Sequence, residues 1–311
     1  MLHLDHARVE ALLPWAALVD ALGAMFQTGC EAPLRHAHAW AEGAERNTLL
    51  LMPAWQAGRY SGVKIVHVAP GHAPAVHAAY LLSDAATGAP LALLDGGALT
   101  DRRTAAASVL AARHLARPDS RRLLLLGSGK VAHALGSAYP SAFPIERIAI
   151  WSRDPARAAR LAARLRAEGH PAEATTDPDP AGADIVSAAT LSREPLLRGE
   201  AVRPGTHVDL VGAFRADMRE SDAALLARAT LVVDTRAGAL AEAGDVVQAI
   251  AEGAFGPGHV AAEMSDLLRG GHPGRRDAAE VTVFKSVGWA GEDLAAAILA
   301  YEGARAGEGR E

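Results

Sequence analysis

Arg121-Arg122-Leu123-Leu124-Leu125-Leu126-Gly127-Ser128-Gly129-Lys130-Val131-Ala132 is the stretch from which the fold can be read. Four consecutive leucines, bounded by Ser120 and Gly127, predict a strand buried on both faces. The strand runs directly into a G-x-G-x-x-A spacing, Gly127 to Ala132. Between a strand and a helix, that spacing is the fingerprint of a dinucleotide-binding turn. Gly127 permits the tight turn. Gly129 has no Cβ, so the backbone can approach a pyrophosphate, and Ala132 is small enough for close helix–strand packing. The helix that follows points its first N–H groups at the anion. An ordinary glycine turn is the competing reading. The second strand-like run, Arg147–Trp151, favours the dinucleotide site.

Downstream, the chain alternates strand and helix. Ile148–Trp151, Asp184–Ala188, Thr206–Leu210 and Leu231–Asp234 read as short buried strands. Asp154 and Pro155 start a helix that Gly169 closes. This alternation predicts a right-handed parallel α/β sheet. An NAD site places Asp or Glu at the end of the second strand, for the ribose 2′-OH. Here the strand ends Ile150-Trp151-Ser152-Arg153, and Ser152 and Arg153 can contact a 2′-phosphate instead. NADPH is therefore the expected cofactor, with NADH as the other. After Val281–Phe284, a helix is expected over Gly291–Tyr301, then a frayed tail, Gly303–Glu311.

Upstream, residues 3–30 read as helical, interrupted at Pro14. Asn47–Met52, Gly62–Val68, Ala78–Ser83 and Pro90–Leu94 read as strands, the last two as a hairpin. Leu99–Leu115 reads as a helix ending before Pro118. Three cations stand out. Arg103 lies in the first turn of that helix, where the dipole disfavours cations and free N–H groups favour a carboxylate. A solvated arginine is the alternative. Lys64 interrupts an apolar strand, as an edge gatekeeper or as a site residue. Arg35 follows a proline turn.

Composition narrows the class. The chain has 311 residues, half of them hydrophobic, a net charge of -5 and one cysteine, Cys30. No basic face suggests nucleic acid, no disulfide can form within the chain, and no metal-ligand spacing or Ser/His/Asp triad is evident. No run reaches the roughly 18 apolar residues of a membrane span, and Asp5 and Glu10 argue against a signal peptide. The expectation is a cytoplasmic protein without membrane or nucleic-acid partners.

Leu51-Met52-Pro53, Gly62-Val63-Lys64, Arg103-Thr104-Ala105-Ala106-Ala107-Ser108, the Gly127 turn, His207-Val208-Asp209-Leu210-Val211-Gly212 and Val281-Thr282-Val283-Phe284-Lys285-Ser286-Val287-Gly288 together resemble the ornithine cyclodeaminase/mu-crystallin family over nearly the whole chain. The resemblance implies an α/β protein in two parts. Residues 119–282 would form a Rossmann-like parallel-sheet domain. Residues 1–118 with 283–311 would form an α+β substrate-binding and dimerisation domain of a homodimer. It implies that Arg35, Lys64 and Arg103 hold a substrate carboxylate. It also implies a cofactor site of Thr104, Gly127, Ser128, Gly129, Lys130, Val131, Ala132, Ser152, Arg153, Ala189, Thr190, Val211, Gly212 and Lys285.

Departures from the family pattern bear on the activity. Family cyclodeaminases carry an acid where this chain has Phe214, and a glutamate where it has Leu50. Without them a diamine lacks a counter-charge and a base. The loop Phe214-Arg215-Ala216-Asp217-Met218-Arg219-Glu220 looks instead like the Δ1-pyrroline-2-carboxylate reductases, ketimine reductases that make L-proline from its cyclic imine; the six-membered piperideine analogue would be a second substrate. Phe214 would form an apolar wall for the ring, core packing being its alternative role. Solvent, Lys64 or Asp217 would protonate the imine nitrogen. Competing readings are ornithine cyclodeamination, alanine dehydrogenase-like formation of alanine or N-substituted amino acids, and a crystallin-like ligand-binding role.

Overall fold

A computed structural model of the chain describes residues 1–40, 47–69, 72 and 74–308. The first elements are β1 (Leu2–Leu4), α1 (His6–Leu12), α2 (Trp15–Thr28), β2 (His36–Trp40), β3 (Asn47–Gln56), β4 (Tyr60–Val68), β5 (Val76–Asp84), β6 (Pro90–Asp95) and α3 (Gly96–Leu115). Then come β7 (Arg122–Leu126), α4 (Lys130–Ala138), β8 (Arg147–Trp151), α5 (Pro155–Ala167), β9 (Ala172–Ala174), β10 (Ile185–Ala188) and β11 (His207–Leu210). The last are α6 (Ala223–Arg228), β12 (Thr230–Val233), α7 (Arg236–Glu242), α8 (Gly244–Ala251), β13 (Ala262–Glu263), α9 (Met264–Leu268), β14 (Thr282–Lys285) and α10 (Ala290–Glu308). They fall into two compact units, Met1–Arg103 with Trp289–Glu311, and Thr104–Gly288.

In the first unit the sheet runs β1-β6-β5-β4-β3-β2. It is antiparallel except for the parallel β1–β6 pair. Asp84 Oδ1 accepts the Ala86 and Thr87 N–H groups and closes the expected β5–β6 hairpin. Register sets Met52, Lys64, Tyr80 and Leu94 side by side. Strand alternation puts all four on one face, and all four are buried there. α10 covers this face, contacting β3 to β6. Leu294, Ala296, Ala297 and Ala300 are fully buried along it, and the small alanines let the helix lie close to the sheet.

Three local expectations are corrected here. Residues 3–30 are not all helical, because Leu2–Leu4 pairs with Ala92 to Leu94 as an edge strand. The tail does not fray at Gly303: α10 continues to Glu308, and 309–311 lie outside the described residues. α3 starts at Gly96 rather than Leu99, with Asp95 Oδ1 accepting the Ala98 N–H at 2.7 Å. Arg103 therefore lies beyond the first turn, and the dipole argument made for it does not apply.

The second unit is built on an all-parallel sheet in the order β13-β12-β14-β11-β10-β7-β8-β9. The chain steps outward from β7 to β8 and β9, then returns past β7 to β10 and β11. That reversal makes a switch point between β7 and β10, where doubly wound sheets bind ligands at the carboxyl ends of their strands. Leu124, Leu126, Val186, Val208, Leu210, Val233 and Val283 pack in one cluster on one face of the sheet, and the residues that alternate with them, Leu123, Leu125, Ile185, Val232 and Phe284, are buried as well, so both faces are covered. Asp154 caps α5 by accepting the Ala156 N–H, with Pro155 in the first turn.

The unit boundaries differ from those expected at 118/119 and 282/283. The first boundary falls between Arg103 and Thr104, within α3. The C-terminal end of α3 is tied into the second unit, since Arg275 Nε and Thr282 Oγ1 both donate to Leu115 O, at 2.7 and 2.8 Å. β14 lies between β11 and β12, so a boundary at residue 282 would cut a central strand.

Candidate functional site

At the end of β7 the backbone turns at Gly127, with φ 125°. A Cβ there would lie 2.5 Å from Ala189 O, so both conformation and space require glycine. Gly129 caps α4; no side chain bonds to the helix start, and the space beside its Cα is open. The first N–H groups of α4 thus face open space, as an anion site requires. Ser128 Oγ donates to Ser152 Oγ at 3.0 Å, joining the ends of β7 and β8. A cleft of about 380 Å³ opens beside them, lined by Ser128, Gly129, Lys130, His133, Arg157 and Arg160 among others. Val131 is half-buried and Ala132 fully buried behind the turn, while Arg153 is exposed. Helix N–H groups, hydroxyls and guanidiniums make a donor set that fits a phosphate-bearing dinucleotide.

Ala189 and Thr190 follow β10, and Val211 and Gly212 follow β11. All four stand at the carboxyl ends of their strands. Thr104 is buried on α3. Lys285, expected as a cofactor contact, closes β14. Its side chain is fully buried, with Nζ donating to Leu210 O at 3.2 Å and lying 3.4 Å from Asp245 Oδ2.

The first unit brings Lys64 and Arg103 together. β4 lies between β3 and β5, so the edge-gatekeeper reading of Lys64 falls. Lys64 Nζ lies 2.9 and 2.8 Å from the two carboxylate oxygens of Asp293. Arg103 Nε donates to Asp293 Oδ1 at 3.0 Å and its NH1 to Glu292 Oε2 at 2.6 Å. All four side chains are buried. The solvated-arginine reading of Arg103 therefore falls as well. Burial and the charge of Arg103 push Lys64 down to about 8, against the pull of Asp293. Burial opposes ionisation of Asp293, but Arg103 and Lys64 outweigh it and hold its carboxyl below the usual range. Arg35, half-buried before β2, adds its positive charge toward Lys64.

Phe214 is 36% exposed, so it is not a core residue. Asp217 is exposed and ion-paired to Arg215 at 2.7 Å and Arg193 at 3.2 Å. Slight burial opposes ionisation there, but the hydrogen bonds and charges of these guanidiniums hold the carboxyl below its ordinary range. A carboxylate kept ionised in solvent is a poor proton donor, which counts against Asp217 as the catalytic acid.

Four residues were missed. Asp293 and Glu292 carried a signal, two acids opening an otherwise apolar helix, Ala290-Gly291-Glu292-Asp293-Leu294-Ala295-Ala296-Ala297. Arg157 and Arg160 carried a weaker one, an i,i+3 spacing on α5.

The chain is similar to known proteins along almost its whole length. Residues 4–308 match the ornithine cyclodeaminase/mu-crystallin family. It is 41% identical to the Δ(1)-pyrroline-2-carboxylate reductase of Paracoccus denitrificans, over 94% of this chain and 93% of that one. The Thermococcus litoralis Δ(1)-pyrroline-2-carboxylate reductase, solved with NADH and L-proline, superposes with a TM-score of 0.93 at 32% identity, covering 99% and 98% of the two chains. An archaeal alanine dehydrogenase dimer with bound NAD has a TM-score of 0.90 at 28% identity, covering 99% and 97%. With both sheets, the glycine turn and the paired Lys64 and Arg103 inside these spans, the chain belongs to the ornithine cyclodeaminase/mu-crystallin family.

Proposed function

We propose that the protein is an oxidoreductase that reduces the C=N bond of a cyclic α-imino acid, converting Δ1-pyrroline-2-carboxylate to L-proline with NAD(P)H. The observation that carries this reading is the buried group around Lys64. Two buried cations from different elements, Lys64 and Arg103, converge there and are held in place by Asp293 and Glu292, with the charge of Arg35 acting on Lys64. Converging guanidinium and ammonium groups suit a substrate carboxylate. Leu50 and Phe214 offer no counter-charge for the distal ammonium of ornithine, and an unpaired buried ammonium costs several kcal/mol. Likeness to a reductase solved with NADH and L-proline supports the same substrate class.

Reduction adds a hydride to the imine carbon and a proton to the imine nitrogen. The reduced nicotinamide supplies the hydride when it is bound. Arg103 and Arg35 orient the carboxylate. Lys64, with its proton affinity lowered toward about 8, remains protonated at neutral pH and can release that proton from Nζ to the nitrogen. Asp293 holds Nζ in place from α10. NADPH is the proposed preferred form, supported by the missing acid after β8 and the basic lining beside Gly129.

We also propose a homodimer formed through the first unit. Leu51, Val63, Ile65 and Leu81 lie on the sheet face opposite Lys64 and are only half-buried, which suits a covering partner. Light scattering at micromolar concentration should give twice the chain mass, and a monomer would refute the dimer.

The deciding experiment measures proline formation from the imine and ammonia release from ornithine on one enzyme batch. Imine reduction with negligible ammonia release is expected. Efficient ammonia release with negligible imine reduction would overturn the assignment.

A further inference from the structure

Glu220 closes the Met218-Arg219-Glu220 run and has no part in the proposed reaction, yet it is fully buried. Its carboxylate accepts three hydrogen bonds from two loops. Oε1 takes the Thr190 N–H at 2.7 Å and the Thr190 hydroxyl at 2.8 Å; Oε2 takes the Gly212 N–H at 2.7 Å. The loops are in close contact. A Cβ on Gly212 would lie 2.0 Å from Thr190 O and 2.4 Å from Glu220 Oε1.

Glu220 is itself anchored from three sides. Its N–H donates to Asp245 Oδ1 at 2.8 Å, and its carbonyl accepts the Leu196 and Leu197 N–H groups. Asp245, in the first turn of α8, lies 3.4 Å from Lys285 Nζ on β14. Lys285 in turn donates to Leu210 O, just before the Gly212 loop. Burial and Asp245 disfavour the ionised form of Glu220, while Lys285 and the Thr190 hydrogen bonds favour it. The geometry favours that ionised form, because three donors converge on two oxygens and a carboxylate presents strong acceptors at both. A glutamine would turn an N–H₂ group against one of the donors.

The glycine turn follows β7, and Ser152 and Arg153, the residues expected to meet the ribose, follow β8. The adenosine half of a dinucleotide would therefore lie toward β8, and its nicotinamide half would extend across β10 and β11. Those are the strands whose loops Glu220 ties together. We propose that Glu220 is a positioning residue that holds the Thr190 and Gly212 loops in register for the nicotinamide half of the cofactor, and that Lys285 acts through Asp245 and Leu210 rather than by touching the cofactor. This rests on the reading of the second unit as a dinucleotide site.

The test uses the full chain, wild type, Glu220→Gln and Thr190→Val, with two readouts. Hydrogen exchange of the cofactor-free protein reads the clamp directly. In E220Q, amides in 189–192 and 211–214 should exchange on the order of tenfold faster, as for losing one charged hydrogen bond, while the rest of the unit is unchanged. Binding reads the consequence. NADPH affinity should fall about tenfold in E220Q and less in T190V, while affinity for 2′,5′-ADP, which carries only the adenosine half, stays at the wild-type value. Equal losses for both ligands, or no loss for either, would overturn the proposal. If E220Q exchanges faster throughout the unit, T190V decides, since it removes a single hydroxyl bond. Wild-type protein that binds neither ligand would overturn the cofactor reading itself, while the exchange result still reports whether the clamp exists.

Discussion

Lys64 Nζ and Asp293 Oδ1 lie 2.9 Å apart, although 229 positions separate them in the chain. The ammonium comes from a central strand and the carboxylate from the first turn of the helix that covers it. Their pairing keeps a buried lysine charged at neutral pH while burial keeps its proton removable.

The pH dependence follows from that balance. Protonated Lys64 is the proposed donor, so kcat/KM for the imine should fall as pH rises through about 8. Asp293 raises the proton affinity of Lys64. Asp293→Asn should therefore move the alkaline limb to lower pH by about one unit or more, one unit corresponding to roughly 1.4 kcal/mol. A limb that stays in place would remove Lys64 as the donor.

Arg103→Ala should cost about 2–3 kcal/mol of transition-state binding, roughly 30- to 150-fold in kcat/KM, by loss of a charged hydrogen-bond partner. The same change strips a guanidinium from buried Asp293 and Glu292. Breaking a buried pair this way costs about 3–5 kcal/mol, so urea unfolding should show a large stability loss. Unchanged kcat/KM would show that Arg103 serves the fold alone.

Arg153 is exposed at the end of β8, with Ser152 bonded to Ser128 behind it. Arg153→Ala should weaken NADPH use by about tenfold or more, the size of a lost charge-assisted hydrogen bond, and leave NADH use nearly unchanged. Equal kcat/KM for the two cofactors, unaltered in the variant, would contradict NADPH preference.

Phe214 offers exposed aromatic surface where family cyclodeaminases carry an acid. Phe214→Asp should lower imine reduction by about tenfold or more, because a carboxylate replaces apolar surface worth roughly 1.5–3 kcal/mol. Ammonia release from ornithine should remain negligible, since Leu50 still lacks the second acid. Imine kinetics indifferent to this change would exclude Phe214 from the site.

Much of the fold is local and was legible. Four leucines before Gly127 specify a buried strand and a glycine turn because strand burial and positive φ are properties of a few neighbouring residues. Asp154 and Pro155 mark a helix start by the same local chemistry. The resemblance carried the division of the chain into two parts. β1 was not legible, since a three-residue strand has almost no periodicity of its own and exists by pairing with β6.

By itself the sequence determined most of the longer strands, the glycine turn between a strand and a helix, and which cations were out of place in apolar surroundings. Only the tertiary structure decided their partners. Lys64 and Arg103 converge on Asp293, and Glu220 joins Thr190 to Gly212, because strand register and helix docking bring distant residues into contact. The tertiary structure also set buried Lys285 beside Asp245 and left Asp217 paired in solvent. Periodicity tells whether a side chain is buried. The charge it meets there can come from a residue as far as 229 positions away, which no local pattern encodes.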